Sequence, residues 1–139
     1  MREWVDNVPS SELEDKVLRL VNRLAYKQAV KKINQPEKAK KIITAGLHES
    51  KRTLVTQLEK KKSRAVILAL NIERNDLKRG TDDQIQELIN LAEMEQIPVI
   101  HISTRSKLGR AFTGKFGPRI TIISIVNYEG YQDMMDEVF

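Results

Sequence analysis

Residues 41–52 read KIITAGLHESKR and form the most informative stretch of this 139-residue chain. A short apolar run ends at Gly46, and the polar residues after the glycine are typical of a helix start. Glycine has no Cβ, so the backbone can approach a partner closely there. The N–H groups of a first helical turn attract anions, and Lys51 and Arg52 would lie beside them. The stretch therefore predicts a strand, a turn and a helix with an anion site, where Glu49 can accept hydrogen bonds.

Outward from this stretch, helical and strand patterns alternate along the chain. Apolar residues at three- to four-residue spacing predict helices over 11–32, 47–61, 81–95, 106–112 and 128–138, and Pro36 predicts a short one through Ala39. Strands are predicted at 42–43, 65–70, 99–102 and 120–126. The continuous apolar run over 65–70 is typical of a strand that is covered on both faces. This alternation predicts a three-layer α/β/α sandwich in a single domain over 1–139, with 1–35 as a helical extension of a 36–139 core.

Positive charge is concentrated in two blocks. The first basic block, residues 27–64, has 12 basic and 3 acidic residues, and the second basic block, residues 104–119, has 5 basic and none acidic. The rest of the chain has 7 basic and 16 acidic residues, although the whole chain has a net charge of only +5. Separation of this kind favours a polyanionic partner over two merely solvated faces.

Composition limits the remaining classes. The chain has no cysteine, so disulfides and Cys-ligated zinc are excluded, and 40% of its residues are hydrophobic, enough for a core. No apolar run has the length of a membrane span, and the first residues lack the apolar core of a signal peptide. We therefore expect a soluble protein in the cytoplasm, with the nucleus as a second location.

Catalytic motifs are missing from the sequence. It contains no nucleophile elbow, Walker loop, dinucleotide fingerprint or His-Glu-x-x-His helix. His101 lies inside an apolar strand and is expected to be a core residue, and helix capping accounts for Asp82 and Asp83. We expect no enzyme activity, no cofactor and no metal site.

Two common RNA modules do not fit. Only seven residues are aromatic, and they lack the strand pattern that stacks bases in an RNA-recognition motif. Residues 114–117, GKFG, match the Gly-x-x-Gly loop of a KH domain. In a KH domain that loop opens a helix, whereas here a β-branched run follows it.

The ordered motifs resemble those of the kink-turn-binding family of ribosomal and box C/D proteins. Its signature is Gly-x-Asn-Glu-x-Thr-Lys at a helix start, which Gly46, Glu49 and Arg52 match, the last in place of Lys. The family's Ile-Pro-Val strand entry is matched at 97–99 and its Leu-Gly segment at 107–110. The resemblance covers about residues 40–126 and implies an α/β/α sandwich, here with an extra N-terminal helix, that binds RNA without catalysis.

Two departures from the signature restrict the resemblance to one branch of the family. His48 replaces Asn and Lys51 replaces Thr, so the family's usual side-chain readout of G·A pairs does not carry over unchanged. The branch that lacks these residues includes proteins that bind selenocysteine-insertion-sequence (SECIS) elements. Similar flanking segments occur here at 2–4 (REW), 35–40 (QPEKAK), 80–83 (GTDD) and 128–133 (YEGYQD). With them the resemblance spans nearly all of the chain.

The resemblance implies an RNA site that both basic blocks share. Its residues would be Lys38, Lys40, Lys41, Gly46, Leu47, His48, Glu49, Lys51 and Arg52 in the first block and Arg105, Lys107, Arg110, Phe112, Lys115 and Arg119 in the second. Glu49 would accept hydrogen bonds from a guanine of the tandem G·A pairs, and the cations would contact phosphates or base edges. Apolar atoms between Phe112 and Thr121 would hold an extruded nucleotide.

The expected function is therefore recognition of a SECIS element in a selenoprotein mRNA, in support of selenocysteine incorporation at UGA. The expected partners are that structured RNA, the ribosome and the selenocysteine-specific elongation factor, with no membrane. One alternative is a ribosomal or small-ribonucleoprotein kink-turn-binding protein. Another, from a different class, is a protein-interaction module of the same fold that does not bind RNA.

Overall fold

Helices and strands alternate along the part of the chain that the structure describes. The computed structural model describes residues 11–36, 41–57, 62–69, 79–102 and 104–139. In chain order the elements are α1 (Ser11–Asn34), β1 (Ile43–Ala45), α2 (Leu47–Val55), β2 (Ala65–Ala69), α3 (Arg79–Met94), β3 (Val99–Ile102), α4 (Arg105–Thr113), β4 (Ile122–Ile125) and α5 (Gln132–Val138). The predicted alternation is confirmed.

The four strands form one mixed sheet with the order β1-β4-β2-β3. β2 and β3 are parallel, and β4 is antiparallel to both β1 and β2. The register pairs Ala45 with Ile123 and Leu68 with Ile122. The carboxyl ends of β1, β2 and β3 therefore share one edge of the sheet with the start of β4, and the segments that follow these ends meet there.

Helices cover both faces of the sheet, so the predicted three-layer sandwich is confirmed. α1, α4 and α5 pack on one face, and α2 and α3 pack on the other. All five residues of β2 are buried, as the continuous apolar run predicted. The α1 side chains Val17, Leu20, Val21 and Leu24 are fully buried in the first core cluster. The hydrophobic core on this face of the sheet therefore includes side chains of the N-terminal helix.

α2 is shorter than the sequence predicted. It ends at Val55 instead of 61, and its C-cap Thr56 has extended backbone angles (φ −66°, ψ 143°). The β-branched residues at this end lose side-chain freedom in a helix, which favours termination. The helical spacing of the 47–61 segment predicts that Val55 faces inward, but Val55 is 54% exposed, so this prediction is wrong. Lys62 lies beyond the helix, and Leu58, Lys60 and Lys61 lie outside the described residues.

Other boundaries move by a few residues. α3 begins at Arg79, two residues before the predicted Thr81 cap. The last helix begins at Gln132 instead of 128, because Gly130 has a positive φ of 91° and the Tyr131 N–H donates to the Tyr128 carbonyl in a turn. The helix predicted after Pro36 and most of the 71–80 loop lie outside the described residues. Among the described helices, none combines the length and apolar character needed to cross a membrane.

Candidate nucleic-acid interface

Gly46 fixes the geometry of the helix start that the sequence singled out. Its backbone has φ 105° and ψ 152°, a conformation that side chains with a Cβ rarely adopt. The Gly46 N–H donates to the Ile122 carbonyl at 2.9 Å, and its own carbonyl accepts from the Ser50 N–H at 3.0 Å. A Cβ here would meet no atom within 4 Å, so backbone conformation rather than crowding selects glycine. The turn is thereby tied to β4, and the first turn of α2 begins at the carboxyl edge of the sheet.

Glu49 lies between two cations. Its Oε2 is 3.5 Å from Lys41 Nζ, and its Oε1 is 3.6 Å from Arg52 Nη1. Both distances are long for charge-assisted hydrogen bonds, and the Glu49 side chain is 41% exposed. The carboxylate is therefore held in place by weak pairs that a stronger partner can replace.

Lys51 makes a much shorter ion pair with a different element. Its Nζ is 2.7 Å from Oε1 of Glu87, which lies on α3, and the two side chains are 40% and 55% exposed. This contact has no signal in the sequence, because the residues are 36 positions apart and each lies on the polar side of its own helix. The carboxylate nearest to Lys51 thus comes from outside both basic blocks.

Buried hydroxyl groups fasten α2 to the sheet below it. Thr53 Oγ1 donates to the Ser50 carbonyl at 2.6 Å and lies 2.8 Å from Ser124 Oγ on β4. Ser124 Oγ in turn donates to Ser63 Oγ at 2.7 Å. Sequence analysis missed this network, although Ser and Thr inside apolar segments are a usable signal for buried hydrogen bonding. The network sets the position of the helix that carries Glu49, Lys51 and Arg52.

A groove brings the two basic blocks together at the carboxyl edge of the sheet. Its volume is about 410 Å³, and its lining comes from three separate segments of the chain: Ala45, Gly46, Leu47, Ile85, Arg119, Ile120, Thr121 and Ile122. Most of these side chains are apolar, and Arg119 is the charged residue among them. Gly46 and Leu47 belong to the first basic block and Arg119 to the second, so the structure joins the residues that the sequence assigned to one site.

A close backbone contact positions Arg119. A Cβ at Gly109 of α4 would overlap the carbonyl oxygen of Pro118, so only glycine permits this approach. The Ile120 N–H also donates to the Arg105 carbonyl at 3.2 Å. The Leu-Gly segment thus has a packing role, because Gly109 lets the chain after α4 return against the helix and present Arg119 to the groove.

The remaining cations of the second block have different environments. The guanidinium carbon of Arg110 lies 4.0 Å from the centre of the Phe116 ring, and Phe116 is 79% exposed. Lys107 Nζ is 3.2 Å from Oε2 of the buried Glu14 on α1, so it contributes to the packing of α1 on α4. Lys115 is exposed in the loop that follows α4.

Phe112 does not lie where the sequence placed it. It is half-buried and packs against the core cluster beneath α1, α4 and α5. Its four-residue spacing from the buried Leu108 is the signal that identifies this inward face. The apolar surface beside Arg119 is supplied by Ile85, Ile120 and Ile122. Ile120 lies within the predicted 112–121 stretch, whereas Ile85 and Ile122 were not among the predicted site residues.

The other predicted residues have simple placements. His48 is exposed on the first turn of α2, and Leu47 is half-buried. Lys38 and Lys40 lie outside the described residues, so their roles stay predictions. His101 is buried in β3, as expected. No group of three or more acidic or histidine side chains in the described part of the chain is arranged to hold a metal ion.

Comparison with known proteins finds a family profile and curated relatives that match most of the chain. The profile of the ribosomal protein L7Ae/L30e/S12e/Gadd45 family matches residues 25–135. Selenocysteine insertion sequence-binding protein 2 of Rattus norvegicus is 28% identical over 139 residues, which is 99% of this chain and 16% of that protein. The Homo sapiens protein named selenocysteine insertion sequence-binding protein 2-like is 26% identical over 141 residues, which covers 99% of this chain and 12% of that protein. The chain thus spans about a sixth, or less, of the length of these curated relatives.

Solved structures share the same fold. A Giardia lamblia 15.5kD RNA binding protein superposes with a TM-score of 0.72 at 19% identity, over 99% of this chain and 93% of that one. A Bacillus halodurans protein of unknown function gives a TM-score of 0.57 at 16% identity, over 87% and 94% of the two chains. At these identities the likeness shows the α/β/α architecture derived above.

Proposed function

The chain belongs to the ribosomal protein L7Ae/L30e/S12e/Gadd45 family, and from this premise we propose that it binds structured RNA at the carboxyl edge of its sheet. The observation that carries the proposal is the groove of about 410 Å³ in which Gly46 and Leu47 meet Arg119. Two basic blocks that are distant in sequence border one apolar groove there. Apolar walls with nearby cations suit a nucleobase and its phosphate, because bases are recognised outside their stack by contacts to their faces and edges.

Each part of the site has a separate proposed task. Glu49, exposed on the first turn of α2, accepts hydrogen bonds from a guanine of tandem G·A pairs. Lys51 and Arg52 contact phosphates of the same RNA segment. The groove takes an extruded base against Ile85 and Ile122, beside the Arg119 guanidinium. Phosphate contacts set the register of the RNA, and the carboxylate supplies sequence and shape selectivity.

The specific RNA that we propose is a SECIS element of selenoprotein mRNAs, read in support of selenocysteine incorporation at UGA. Support comes from the relatives named selenocysteine insertion sequence-binding proteins and from His48 and Lys51, which replace the Asn and Thr of the kink-turn signature. We extend the proposal to the ribosome and the selenocysteine-specific elongation factor as partners, in the cytoplasm and also in the nucleus.

A binding titration with three RNAs tests the proposal. The wild-type chain is titrated by gel shift against a SECIS hairpin, the same hairpin with its G·A pairs replaced by Watson–Crick pairs, and a standard kink-turn. We expect the SECIS hairpin to bind most tightly. Equal affinity for the intact and disrupted hairpins would contradict structure-specific recognition.

The same titration separates the second candidate function. Gly46, Glu49 and Arg52 match the kink-turn signature, so preference for the standard kink-turn would favour a ribosomal or small-ribonucleoprotein role. Absence of binding to all three RNAs would leave the protein-interaction alternative.

A further inference from the structure

The ion pair between Lys51 and Glu87 is much shorter than the two ion pairs of Glu49 on the same helix. The pair is 2.7 Å long, whereas Glu49 lies 3.5 and 3.6 Å from its two cations. Glu87 is on α3, two residues after Ile85, which lines the groove. Its side chain is 55% exposed, so its carboxylate is accessible from solvent, and it is held beside Lys51 of the proposed site.

We propose that Glu87 is a specificity-determining residue that competes with RNA phosphates for Lys51. The inference rests on the proposed function, since it concerns the selectivity of the same site. Binding of RNA at Lys51 exchanges a carboxylate for a phosphate and leaves Glu87 close to the RNA backbone. Like charges that are brought together in this way penalise ligands with a poorly placed phosphate.

The penalty differs between cognate and non-cognate RNA. A cognate RNA places a phosphate against Lys51 and regains a charge-assisted hydrogen bond in exchange for the pair that it breaks. An RNA without the bent G·A structure binds in several registers, so it regains less and is still repelled by Glu87. Glu87 thus lowers the affinity for every RNA but lowers it most for the wrong ones, which raises the ratio between them.

The chain contains a matched control directly after the same helix. Glu95 directly follows α3, and its Oε2 is 2.6 Å from Lys62 Nζ, a pair of nearly the same length. Eight residues separate Glu87 from Glu95, about 12 Å along a helix. Lys62 precedes β2, and Glu95 precedes β3, so this pair lies at the opposite edge of the sheet from the groove. E95Q removes the same charge from the protein without releasing a cation at the proposed site.

The experiment compares wild type, E87Q and E95Q against the SECIS hairpin and its G·A-disrupted control at several salt concentrations. In E87Q we expect the disrupted RNA to bind about two- to fivefold more tightly, the size of an exposed ion pair, with a smaller gain for the SECIS hairpin. The salt dependence for the disrupted RNA should steepen by about 0.7 log units per log of salt, because one more cation neutralises phosphate. E95Q should match wild type, and the double variant K51Q/E87Q should lose the gain.

Any result that differs from these expectations overturns the inference. Unchanged affinities in E87Q show that Glu87 does not restrain Lys51, and an equal gain in E95Q shows an effect of net charge alone. A gain that persists in K51Q/E87Q shows that another cation is responsible. Failure of the proposed function is distinguishable, because the wild-type chain itself would then not separate the two RNAs; the inference would fall with it.

Discussion

The two basic blocks differ in how their cations are compensated. In the first block, Lys41 and Arg52 flank Glu49 and Lys51 pairs with Glu87. In the second, Lys107 pairs with Glu14, Arg110 rests on an aromatic ring, and among the described residues Arg110, Lys115 and Arg119 have no carboxylate partner. The number of cations in a stretch of sequence therefore overstates the positive charge that a ligand can use, because carboxylates from elsewhere in the fold pair with some of these cations.

This difference suggests a division of labour in the proposed RNA site. The carboxylates of the first block compete with phosphate for its cations and repel a misplaced phosphate, so the first block suits discrimination. Uncompensated cations attract any polyanion and raise its rate of encounter, so the second block suits attraction and salt-dependent affinity. The following predictions test this contrast, from the largest expected effect to the smallest.

Glu49→Gln should have the largest effect because it removes the proposed base-reading charge of the first block. Discrimination between the SECIS hairpin and its G·A-disrupted form should fall by about 5- to 150-fold, which corresponds to about 1–3 kcal/mol for a lost base contact. Lys41 and Arg52 are released by the same change, so affinity for the disrupted RNA should not fall. Dissociation constants for the two RNAs, measured at one salt concentration, give the ratio.

The control for Glu49→Gln is Glu129→Gln. Glu129 is exposed and follows the carboxyl end of β4, at the edge of the sheet opposite the groove. Its loss should leave the ratio unchanged. If Glu49→Gln also leaves the ratio unchanged, the first block does not discriminate and the contrast between the blocks fails.

Gly109→Ala tests the close backbone contact that positions Arg119 in the second block. The new Cβ would overlap the Pro118 carbonyl oxygen, so α4 or the 118–120 segment must shift. We expect a loss of about 1–3 kcal/mol in the free energy of unfolding, as for overpacked interiors, measured by urea denaturation. Ser106→Ala, at an exposed position on the same helix, should change it by less than about 0.5 kcal/mol. Wild-type stability in Gly109→Ala would mean that the close contact does not position Arg119.

The strands were predictable because each carries a local signal. A strand covered on both faces needs no polar positions, and residues 65–69 supply such a run and are all buried. The turn at Gly46 and the start of α2 directly after it were also predictable, since glycine and the polar residues that follow it act locally. These features depend on neighbours in sequence, and the pattern of neighbours is what a single sequence displays.

The lining of the groove was not predictable in the same way. Ile85 meets Ile120 and Ile122 because the register of β4 and the return of the chain after α4 bring the 119–122 segment beside α3. Phe112 and Phe116 are the same residue type and lie four positions apart, yet Phe112 packs on the core and Phe116 is 79% exposed. Helical spacing from Leu108 distinguishes them, whereas the Lys51–Glu87 pair has no local signal at all.

Arg119→Gln and Arg52→Gln compare one cation from each block by salt dependence. For Arg119→Gln, the slope of log affinity against log salt should become shallower by about 0.7–0.9, because one uncompensated phosphate contact is lost. For Arg52→Gln the change in slope should be smaller. RNA binding at Arg52 breaks its pair with Glu49, and the freed carboxylate takes up salt cations, which offsets part of the counterion release. Titrations of the SECIS hairpin at four or more salt concentrations supply the slopes. Equal changes in the two variants would show that the ion pairs of the first block do not affect counterion release.

The smallest effect is expected on the stability of the RNA-free protein. Lys51→Gln should lower the free energy of unfolding by about 0.2–1 kcal/mol at low salt, because it breaks the exposed pair with Glu87. Lys115→Gln should cost nothing, since Lys115 has no carboxylate to lose among the described residues. Added salt should reduce the Lys51 effect and leave Lys115→Gln unchanged.

A double-mutant cycle with E87Q decides whether the Lys51 effect belongs to the pair. Urea unfolding of wild type, K51Q, E87Q and the double variant gives the coupling energy between the two side chains. A coupling of about 0.2–1 kcal/mol would identify the pair as a contact that RNA must break before it reaches Lys51. A coupling of zero would mean that Lys51 is as available as Lys115, so both blocks would present free charge and the selectivity of the site would depend on Glu49 instead.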